Sequence, residues 1–201
     1  MKSDMSEIRG REKEVRELTL AVSGRSPILF IGVYGGGATL LARRVPSILP
    51  LPSPEEMEEI KKRHEKRGLS VIGRPFRAPH HTISPEALKS EADLAWGGVL
   101  FLDEIYEFSK EALNTLYENL PSPEHLTLII NMNRCPCGQP PLSCNCPPSS
   151  VIQYRKRIFN HIEVGRFPVI IQMEERIPLT YLPPGESSEN IRLRVTEALS
   201  Q

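Results

Sequence analysis

The chain carries no net charge that would draw it to nucleic acid or to a membrane. Lys and Arg together number 25, and Asp and Glu together also number 25, so the formal net charge is zero. The longest apolar run, residues 27–33, is far shorter than the roughly 20 residues that span a bilayer. We therefore expect no membrane partner, and any binding of DNA must use local patches of charge.

The composition is otherwise that of an ordinary globular domain. Hydrophobic residues make up 39% of the chain and charged residues 25%, as in water-soluble folds. A length of 201 residues fits one domain. Residues 1–7 lack the apolar core of a secretory signal. We therefore expect a single domain over residues 1–201, located in the cytoplasm.

Four apolar segments predict buried strands. They cover residues 27–32, 99–103, 126–131 and 168–172. Segments with the periodicity, caps and charges of helices lie at residues 7–22, 39–44, 54–67 and 109–120. We expect Pro46 to end the second of these helices. Near-continuous apolar strands that alternate with helices favour an α/β fold with a parallel sheet covered on both faces.

A glycine-rich segment follows the first predicted strand and opens the next helix. It reads Gly-Val-Tyr-Gly-Gly-Gly-Ala-Thr from Gly32 to Thr39. Successive backbone N–H groups at the start of a helix bind anions, and Gly35, Gly36 and Gly37 permit the close approach that this needs. Thr39 would offer its hydroxyl to Mg²⁺. A glycine-rich turn without a ligand explains the segment equally well.

The glycine segment lacks the lysine of a phosphate-binding loop. In the pattern G-x-x-x-x-G-K-[ST] that lysine contacts the β- and γ-phosphates, and Ala38 stands in its place. A charge-assisted contact is worth roughly 1.5–3 kcal/mol, so its absence should weaken nucleotide binding about ten- to a hundredfold. The loss in hydrolysis could be greater, because the same charge counters the charge of the transition state.

Two adjacent carboxylates end the second apolar strand. Residues 99–102 read Val-Leu-Phe-Leu and are followed by Asp103 and Glu104. This is the Walker B form, in which the Asp holds a metal and the Glu polarises the attacking water. An ordinary turn is the alternative. The glycine segment upstream favours the Walker B interpretation, with Thr39 and Asp103 as ligands of magnesium.

All four cysteines of the chain lie in one loop, which we place at residues 134–147. They are Cys135, Cys137, Cys144 and Cys146. Four thiolates in two close pairs suit tetrahedral Zn²⁺ and leave no open position, so one zinc ion would be structural. Disulfides are not expected in a cytosolic chain. Because Cys-x-Cys pairs are less usual than Cys-x-x-Cys pairs, reduced thiols without metal are the alternative.

Two further groups of residues have several interpretations. Residues 154–157 read Tyr-Arg-Lys-Arg, which fits an arginine finger acting on a neighbouring subunit, a nucleic-acid patch or a solvated turn. The spacing alone favours the turn. The adjacent His80 and His81 diverge in direction and have no carboxylate pattern beside them, so we interpret them as structural or as making contacts.

Three longer motifs resemble one known family. Residues 74–84 read Arg-Pro-Phe-Arg-Ala-Pro-His-His-Thr-Ile-Ser, residues 98–104 read Gly-Val-Leu-Phe-Leu-Asp-Glu, and residues 132–138 read Met-Asn-Arg-Cys-Pro-Cys-Gly. They resemble signatures of the magnesium-chelatase-like AAA+ ATPases of the ComM type. The similarity runs from about residue 7 to the end, and the chain looks like a divergent and truncated member.

The resemblance implies a P-loop AAA+ core with three α/β/α layers, assembled in a ring with itself or with a full-length relative. It implies ATP or ADP with Mg²⁺ as ligands, and ATP hydrolysis coupled to remodelling, in the ComM type to branch migration of DNA. By the family pattern Asn133 is the sensor 1 residue, Arg157 aligns with the finger arginine, and residues 8–10 lie near the adenine. Residues 186–201 would begin a C-terminal helical lid that the chain does not complete.

The sequence departs from the family pattern where the chemistry takes place. The family loop reads G-P-P-G-[ST]-G-K-[ST], whereas Val33 and Tyr34 replace the prolines here, Gly36 replaces the Ser or Thr, and Ala38 replaces the lysine. A hairpin-bearing segment is shortened near residues 121–125, and the segment leading into the finger arginine is missing. We also expect the rest of the lid, with its sensor 2 arginine, and the N-terminal protease-like domain to be absent.

Three functions fit these features, and we prefer the first. It is a pseudo-ATPase, which keeps the fold with weak or no nucleotide affinity and acts as a binding, scaffold or regulatory module. The second is an active ATP-hydrolysing motor core that remodels DNA or protein, which requires the missing lysine. The third is a nucleic-acid-binding module that uses the cysteine loop and residues 154–157, and the zero net charge argues against it.

Overall fold

A computed structural model of the protein describes residues 4–161, 167–173 and 183–200. Five parallel strands form the sheet at the centre of the fold. The strands are β1 (Ile28–Gly32), β2 (Phe76–Arg77), β3 (Gly98–Leu102), β4 (Leu126–Asn133) and β5 (Val169–Met173). Their order across the sheet is β2-β3-β4-β1-β5, and every neighbouring pair is parallel. The predicted parallel sheet is confirmed, and β2 is a strand that we did not predict.

Helices cover both faces of this sheet. They are α1 (Glu12–Ser23), α2 (Ala38–Ala42), α3 (Val45–Ile48), α4 (Pro54–Glu65), α5 (Pro85–Leu94), α6 (Lys110–Glu118), α7 (Pro148–His161) and α8 (Ser188–Leu199). None of the helices in the described ranges is both long enough and apolar enough to cross a membrane.

The core is divided into two layers by the sheet. Successive side chains of a strand point to opposite faces, so β1 places Phe30 against α1, α2, α3 and α8, and Leu29 against α5, α6 and α7. In the same way β3 contributes Phe101 to the first layer and Leu100 to the second. This arrangement is the expected three-layer α/β/α core, and it explains why the strands are apolar on both faces.

The predicted helix at residues 54–67 is confirmed as α4, together with its cap. The Ser53 hydroxyl accepts a hydrogen bond from the Glu56 backbone N–H (3.1 Å), and the Glu56 carboxylate accepts one from the Ser53 N–H (3.0 Å). Pro54 occupies the first turn, where it has no intrahelical N–H to lose. This capping box is a purely local device, which is why the sequence predicts it well.

The first predicted helix begins later than expected. We predicted it from residue 7, but α1 starts at Glu12, and a short 3₁₀ turn covers Met5–Glu7. Gly10 lies between the two with a φ of 65°, a left-handed conformation that interrupts a right-handed helix. The predicted inward face is correct nevertheless, because Leu18 and Val22 are buried in the core.

Pro46 does not end the helix that follows the glycine segment. That helix, α2, already ends at Ala42, and Pro46 lies in the first turn of the next helix, α3. Pro is tolerated there because the N–H groups of a first turn have no intrahelical acceptor. The prediction for this residue was wrong because a proline next to a helix marks a start as well as a stop.

The basic residues 154–157 do not form the turn that their spacing favoured. They lie within α7, where Tyr154 is buried and the three basic side chains are exposed. The Tyr154 ring packs edge-on against Tyr106, with ring centroids 5.1 Å apart. An apolar anchor followed by solvated cations is typical of the flank of an amphipathic helix.

Gly98 permits the close contact that joins β2 to β3. The Val99 N–H donates to the Pro75 carbonyl (2.9 Å), and a Cβ on Gly98 would lie 2.1 Å from that same oxygen. We expect Gly98→Ala to lower the free energy of unfolding by about 1–3 kcal/mol, because the backbone of β2 must move away. Denaturant titration followed by circular dichroism would measure the change.

The matched control for this prediction is Gly24→Ala. A Cβ on Gly24 would meet its nearest atoms at 3.4 Å, an ordinary contact, and the φ of Gly24 is −89°. We expect this variant to change stability by less than about 0.5 kcal/mol. Equal losses in the two variants would contradict the role assigned to the contact between Gly98 and Pro75.

Candidate functional site

The predicted site residues meet at the carboxyl ends of β1, β3 and β4. Gly32 and Asn133, the last residues of β1 and β4, are in register with each other, and Asp103 directly follows β3. A cavity of about 320 Å³ opens at this edge of the sheet. It is lined by residues 33–40, Asp103, Glu104, Asn131 and Asn133.

The glycine segment passes along one side of this cavity in an irregular conformation. Gly35 and Gly37 have φ values of 71° and 93°, in the left-handed region that favours glycine. Gly32, which we predicted as a phosphate contact, packs closely against β5, since a Cβ there would lie 2.4 Å from the Met173 Cβ. Its lack of a side chain therefore allows two strands to pack.

Asp103 is the most firmly held side chain of the site. Its Oδ2 accepts a hydrogen bond from the Thr39 hydroxyl (2.9 Å), and its Oδ1 accepts one from the Asn131 amide (2.7 Å) and one from the Glu104 N–H (3.0 Å). The structure thus brings together Thr39 and Asp103, the two residues predicted to bind magnesium. Sequence reasoning missed Asn131, although its polar side chain interrupts an apolar strand.

Glu104 lies beside Asp103 and is tethered to the glycine segment. Its φ of 51° is unusual for a residue with a side chain. Its Oε1 accepts a hydrogen bond from the Tyr34 hydroxyl (3.1 Å). Burial, a hydrogen bond with Tyr34 and the nearby Glu104 carboxylate together raise the pKa of Tyr106, so this phenol stays neutral. Glu104 therefore belongs to a cluster with two tyrosines.

Asn133 is a buried polar residue with an unused donor. Only 4% of the residue is exposed, and it lines the cavity. Its side-chain Nδ2 is buried and has no hydrogen-bond partner among the described residues. Buried donors are nearly always satisfied, so an orphaned amide at a cavity wall favours an acceptor that the bare chain does not supply.

No Lys or Arg lines the part of the cavity that the structure describes. Ala38 lies in this wall together with the carboxylates of Asp103 and Glu104. The two arginines that follow α2 are engaged elsewhere. The Arg43 guanidinium stacks on the Phe76 ring at 5.7 Å, and Arg44 donates to the Asp4 carbonyl (3.0 Å) and pairs with Glu7.

Two other predicted contributors do not line the cavity. Arg157, the proposed finger arginine, has an exposed side chain on α7. Residues 8–10, expected near the adenine, are likewise not part of the described lining. A finger arginine acts on a neighbouring subunit, so its position outside the cavity is compatible with that role.

The four cysteines form a compact cluster next to the site. Their Sγ atoms all lie within 4.8 Å of one another, and the distances from Cys135 to Cys137 and Cys144 are 3.3 and 3.5 Å. Zinc–sulfur bonds of 2.3 Å in a tetrahedron place the sulfurs about 3.8 Å apart, so the cluster fits one zinc ion. Burial raises the pKa of the Cys135 thiol to about 12, and a backbone hydrogen bond from Gln139 lowers that of Cys137 to about 7.

Comparisons with known proteins agree with this geometry. A family model described as magnesium chelatase, subunit ChlI, matches residues 4–179. The competence protein ComM of Haemophilus influenzae is 31% identical over an alignment of 215 positions, gaps included, that covers 90% of this chain and 40% of that protein. YifB of Escherichia coli, described as uncharacterized, is 30% identical over an alignment of 234 positions, gaps included, that covers 98% of this chain and 45% of that protein.

The chain spans less than half the length of these curated relatives. Among solved structures, a mutant of RuvB from Thermotoga maritima matches with a TM-score of 0.49 and 19% identity, over 86% of this chain and 48% of that chain. The family match covers most of this chain and includes the glycine segment, Asp103, Glu104 and the cysteine cluster. This chain therefore belongs to the magnesium chelatase subunit ChlI family, and ComM is a relative.

Proposed function

We propose that this chain is a nucleotide-site module with little or no ATPase activity, which acts as a binding, scaffold or regulatory unit. One observation carries the proposal: the described cavity wall contains Asp103 and Glu104 and no Lys or Arg. Carboxylates repel a polyphosphate unless cations intervene. With Ala38 in the lysine position, Mg²⁺ alone must supply the compensating charge.

The residues present define how a nucleotide would be held. The backbone N–H groups of Gly35, Gly36 and Gly37 would face the phosphates. Thr39 and Asp103 would hold Mg²⁺, which neutralises phosphate charge when bound. The orphaned amide of Asn133 would donate to the terminal phosphate or to a water molecule. These contacts would bind the nucleotide, and none of them requires the lysine.

We assign one structural zinc ion to Cys135, Cys137, Cys144 and Cys146. The support is the spacing of the four sulfur atoms, which matches a tetrahedral site. Four protein ligands leave no position for water or substrate, so the ion would stabilise the loop over residues 134–147 without taking part in a reaction.

The partner that we propose is a second copy of this chain or a full-length relative, assembled in a ring. The exposed Arg157 on α7 is the residue that would reach a neighbour's nucleotide, and the exposed cations beside it are Arg155 and Lys156. Such an arrangement gives an inactive subunit a role, because its finger can still serve another subunit. DNA is a weaker candidate, since the net charge of the chain is zero.

An active ATP-hydrolysing motor core for remodelling DNA or protein is the alternative. It is favoured by the intact arrangement of Thr39, Asp103 and Glu104 and by the Asn133 amide, which has no partner in the described part of the chain. These residues are the metal ligand, the base and the sensor of such an enzyme in the family pattern. The alternative requires a cation from outside the described cavity wall to replace the lysine.

The proposal of a weak nucleotide site leads to a prediction for Ala38. We expect wild-type ATP turnover to be undetectable, and Ala38→Lys to raise the affinity for ADP and ATP by about ten- to a hundredfold, since it restores a charge-assisted contact. Hydrolysis should remain low in the variant, because Val33, Tyr34 and Gly36 still depart from the family loop. Calorimetric titration with Mg²⁺ present, together with phosphate release, measures both quantities.

Ala38→Met is the matched control, because it adds similar length without charge. We expect it to leave affinity unchanged or lower. Robust ATP turnover by the wild-type chain at micromolar concentration would overturn the pseudo-ATPase proposal and favour the motor core.

The zinc assignment leads to a prediction for the cysteine cluster. We expect about one zinc ion per chain by elemental analysis, and its loss in Cys135→Ser, because three thiolates bind zinc more weakly than four. Ser143→Ala, in the same loop, should retain the metal. A stable metal-free protein with four titratable thiols would rule out the zinc site.

A further inference from the structure

The cysteine loop and the glycine segment touch each other through Gly138 and Tyr34. The Tyr34 backbone N–H donates to the Gly138 carbonyl at 2.8 Å. A Cβ on Gly138 would lie 2.1 Å from Cδ2 of the Tyr34 ring, so the ring rests directly on the Gly138 backbone. The contact is therefore both a hydrogen bond and a close packing of a ring on a residue without a side chain.

The turn that presents Gly138 is the turn that carries two of the cysteines. The Gly138 N–H donates to the Cys135 carbonyl at 3.1 Å, and Gly138 directly follows Cys137. The φ of Gly138 is +64°, which closes the turn in a left-handed conformation. A metal ion that binds the thiols of Cys135 and Cys137 would therefore fix the position of the Gly138 carbonyl.

Tyr34 connects the cysteine turn to Glu104 at the edge of the cavity. Its backbone belongs to the glycine segment, and its hydroxyl donates to Glu104 Oε1 at 3.1 Å. A segment with glycines at 35, 36 and 37 has much conformational freedom to lose when it forms an anion site. A contact that holds its first residues in place reduces that loss before any ligand arrives.

We propose that Tyr34 is a positioning residue through which a metal ion in the cysteine cluster orders the glycine segment and Glu104. With zinc bound, the turn from Cys135 to Gly138 is rigid, the Tyr34 N–H stays paired, and its hydroxyl keeps Glu104 in place. Without zinc the turn loosens and the glycine segment gains freedom. Zinc therefore strengthens nucleotide binding by preorganisation, without any contact to the nucleotide.

This inference rests on the zinc part of the proposed function and is independent of whether ATP is hydrolysed. A metal that only stabilised its own loop would order residues 134–147 and leave residues 33–38 unchanged. Hydrogen exchange separates the two cases, because it reports on the backbone of the glycine segment directly and needs no nucleotide.

The experiment compares hydrogen–deuterium exchange of the full chain with zinc bound and after removal of zinc by a chelator. Elemental analysis confirms the metal content of both samples. We expect amides of residues 33–38 to exchange at least about threefold faster without zinc, because the Tyr34 N–H loses its acceptor. The helix α4 should be unchanged. Equal exchange at residues 33–38 in the two samples would overturn the inference.

Gly138→Ala separates the coupling from metal binding. The four thiols are untouched, so zinc should still bind, but the new Cβ displaces the Tyr34 ring, and the zinc dependence of exchange at residues 33–38 should disappear. Gly68→Ala is the control, because Gly68 has a similar φ of +67° and no atom within 4 Å of its Cβ position. It should behave like the wild type.

Tyr34→Phe tests the hydroxyl separately. The ring and the N–H remain, so zinc should still slow exchange at residues 33–38, whereas the hydrogen bond to Glu104 is lost.

Titration with ADP and Mg²⁺ adds an independent readout. Removal of zinc should lower the affinity of the wild type for ADP at least about threefold. Removal of zinc from Gly138→Ala should leave its affinity for ADP unchanged. Failure of nucleotide binding alone would count against the proposed nucleotide site, and the exchange result would still decide this inference. A chain that binds no zinc would overturn it together with the zinc site.

Discussion

The site depends on the alignment of β1, β3 and β4, whose carboxyl ends lie at one edge of the sheet. In the parallel register Gly32 pairs with Asn133, and Leu102 pairs with Ile130, so Asp103 comes next to Asn131. The hydrogen bonds from Asn131 and Thr39 then hold Asp103 in the cavity wall. The strands are buried on both faces, so this edge is rigid, and functional side chains placed on it keep their positions.

Electrostatics is the basis of the proposal that this site has little or no ATPase activity. The carboxylates of Asp103 and Glu104 line the cavity, whereas the described cavity wall supplies no positive side chain. The arginines next to α2 pair with Phe76 and Glu7 and stabilise the fold instead. The glycine segment thus contains a residue that serves packing, Gly32 against Met173, and has alanine rather than lysine at position 38.

Much of the fold follows from local patterns, and the errors are local as well. The apolar strands and the Ser53 cap were predicted within one or two residues, because burial and capping depend on neighbours in sequence. The predictions for the start of α1 and for the role of Pro46 were wrong, since glycine and proline are each compatible with more than one local structure. The two-residue strand β2 has too little pattern to be recognised, and its pairing depends on the close contact at Gly98.

The sequence by itself determined the class of fold, the acidic pair, the absence of a lysine at Ala38 and the grouping of four cysteines in one loop. All of these are properties of residue type and spacing, which a linear pattern carries in full. Only the tertiary structure decided that Asn131 holds Asp103, that the Asn133 amide has no partner among the described residues, and that Tyr34 joins Gly138 to Glu104. These contacts join residues as many as 104 positions apart, as for Tyr34 and Gly138, and they exist because the parallel sheet brings the ends of distant strands to the same edge.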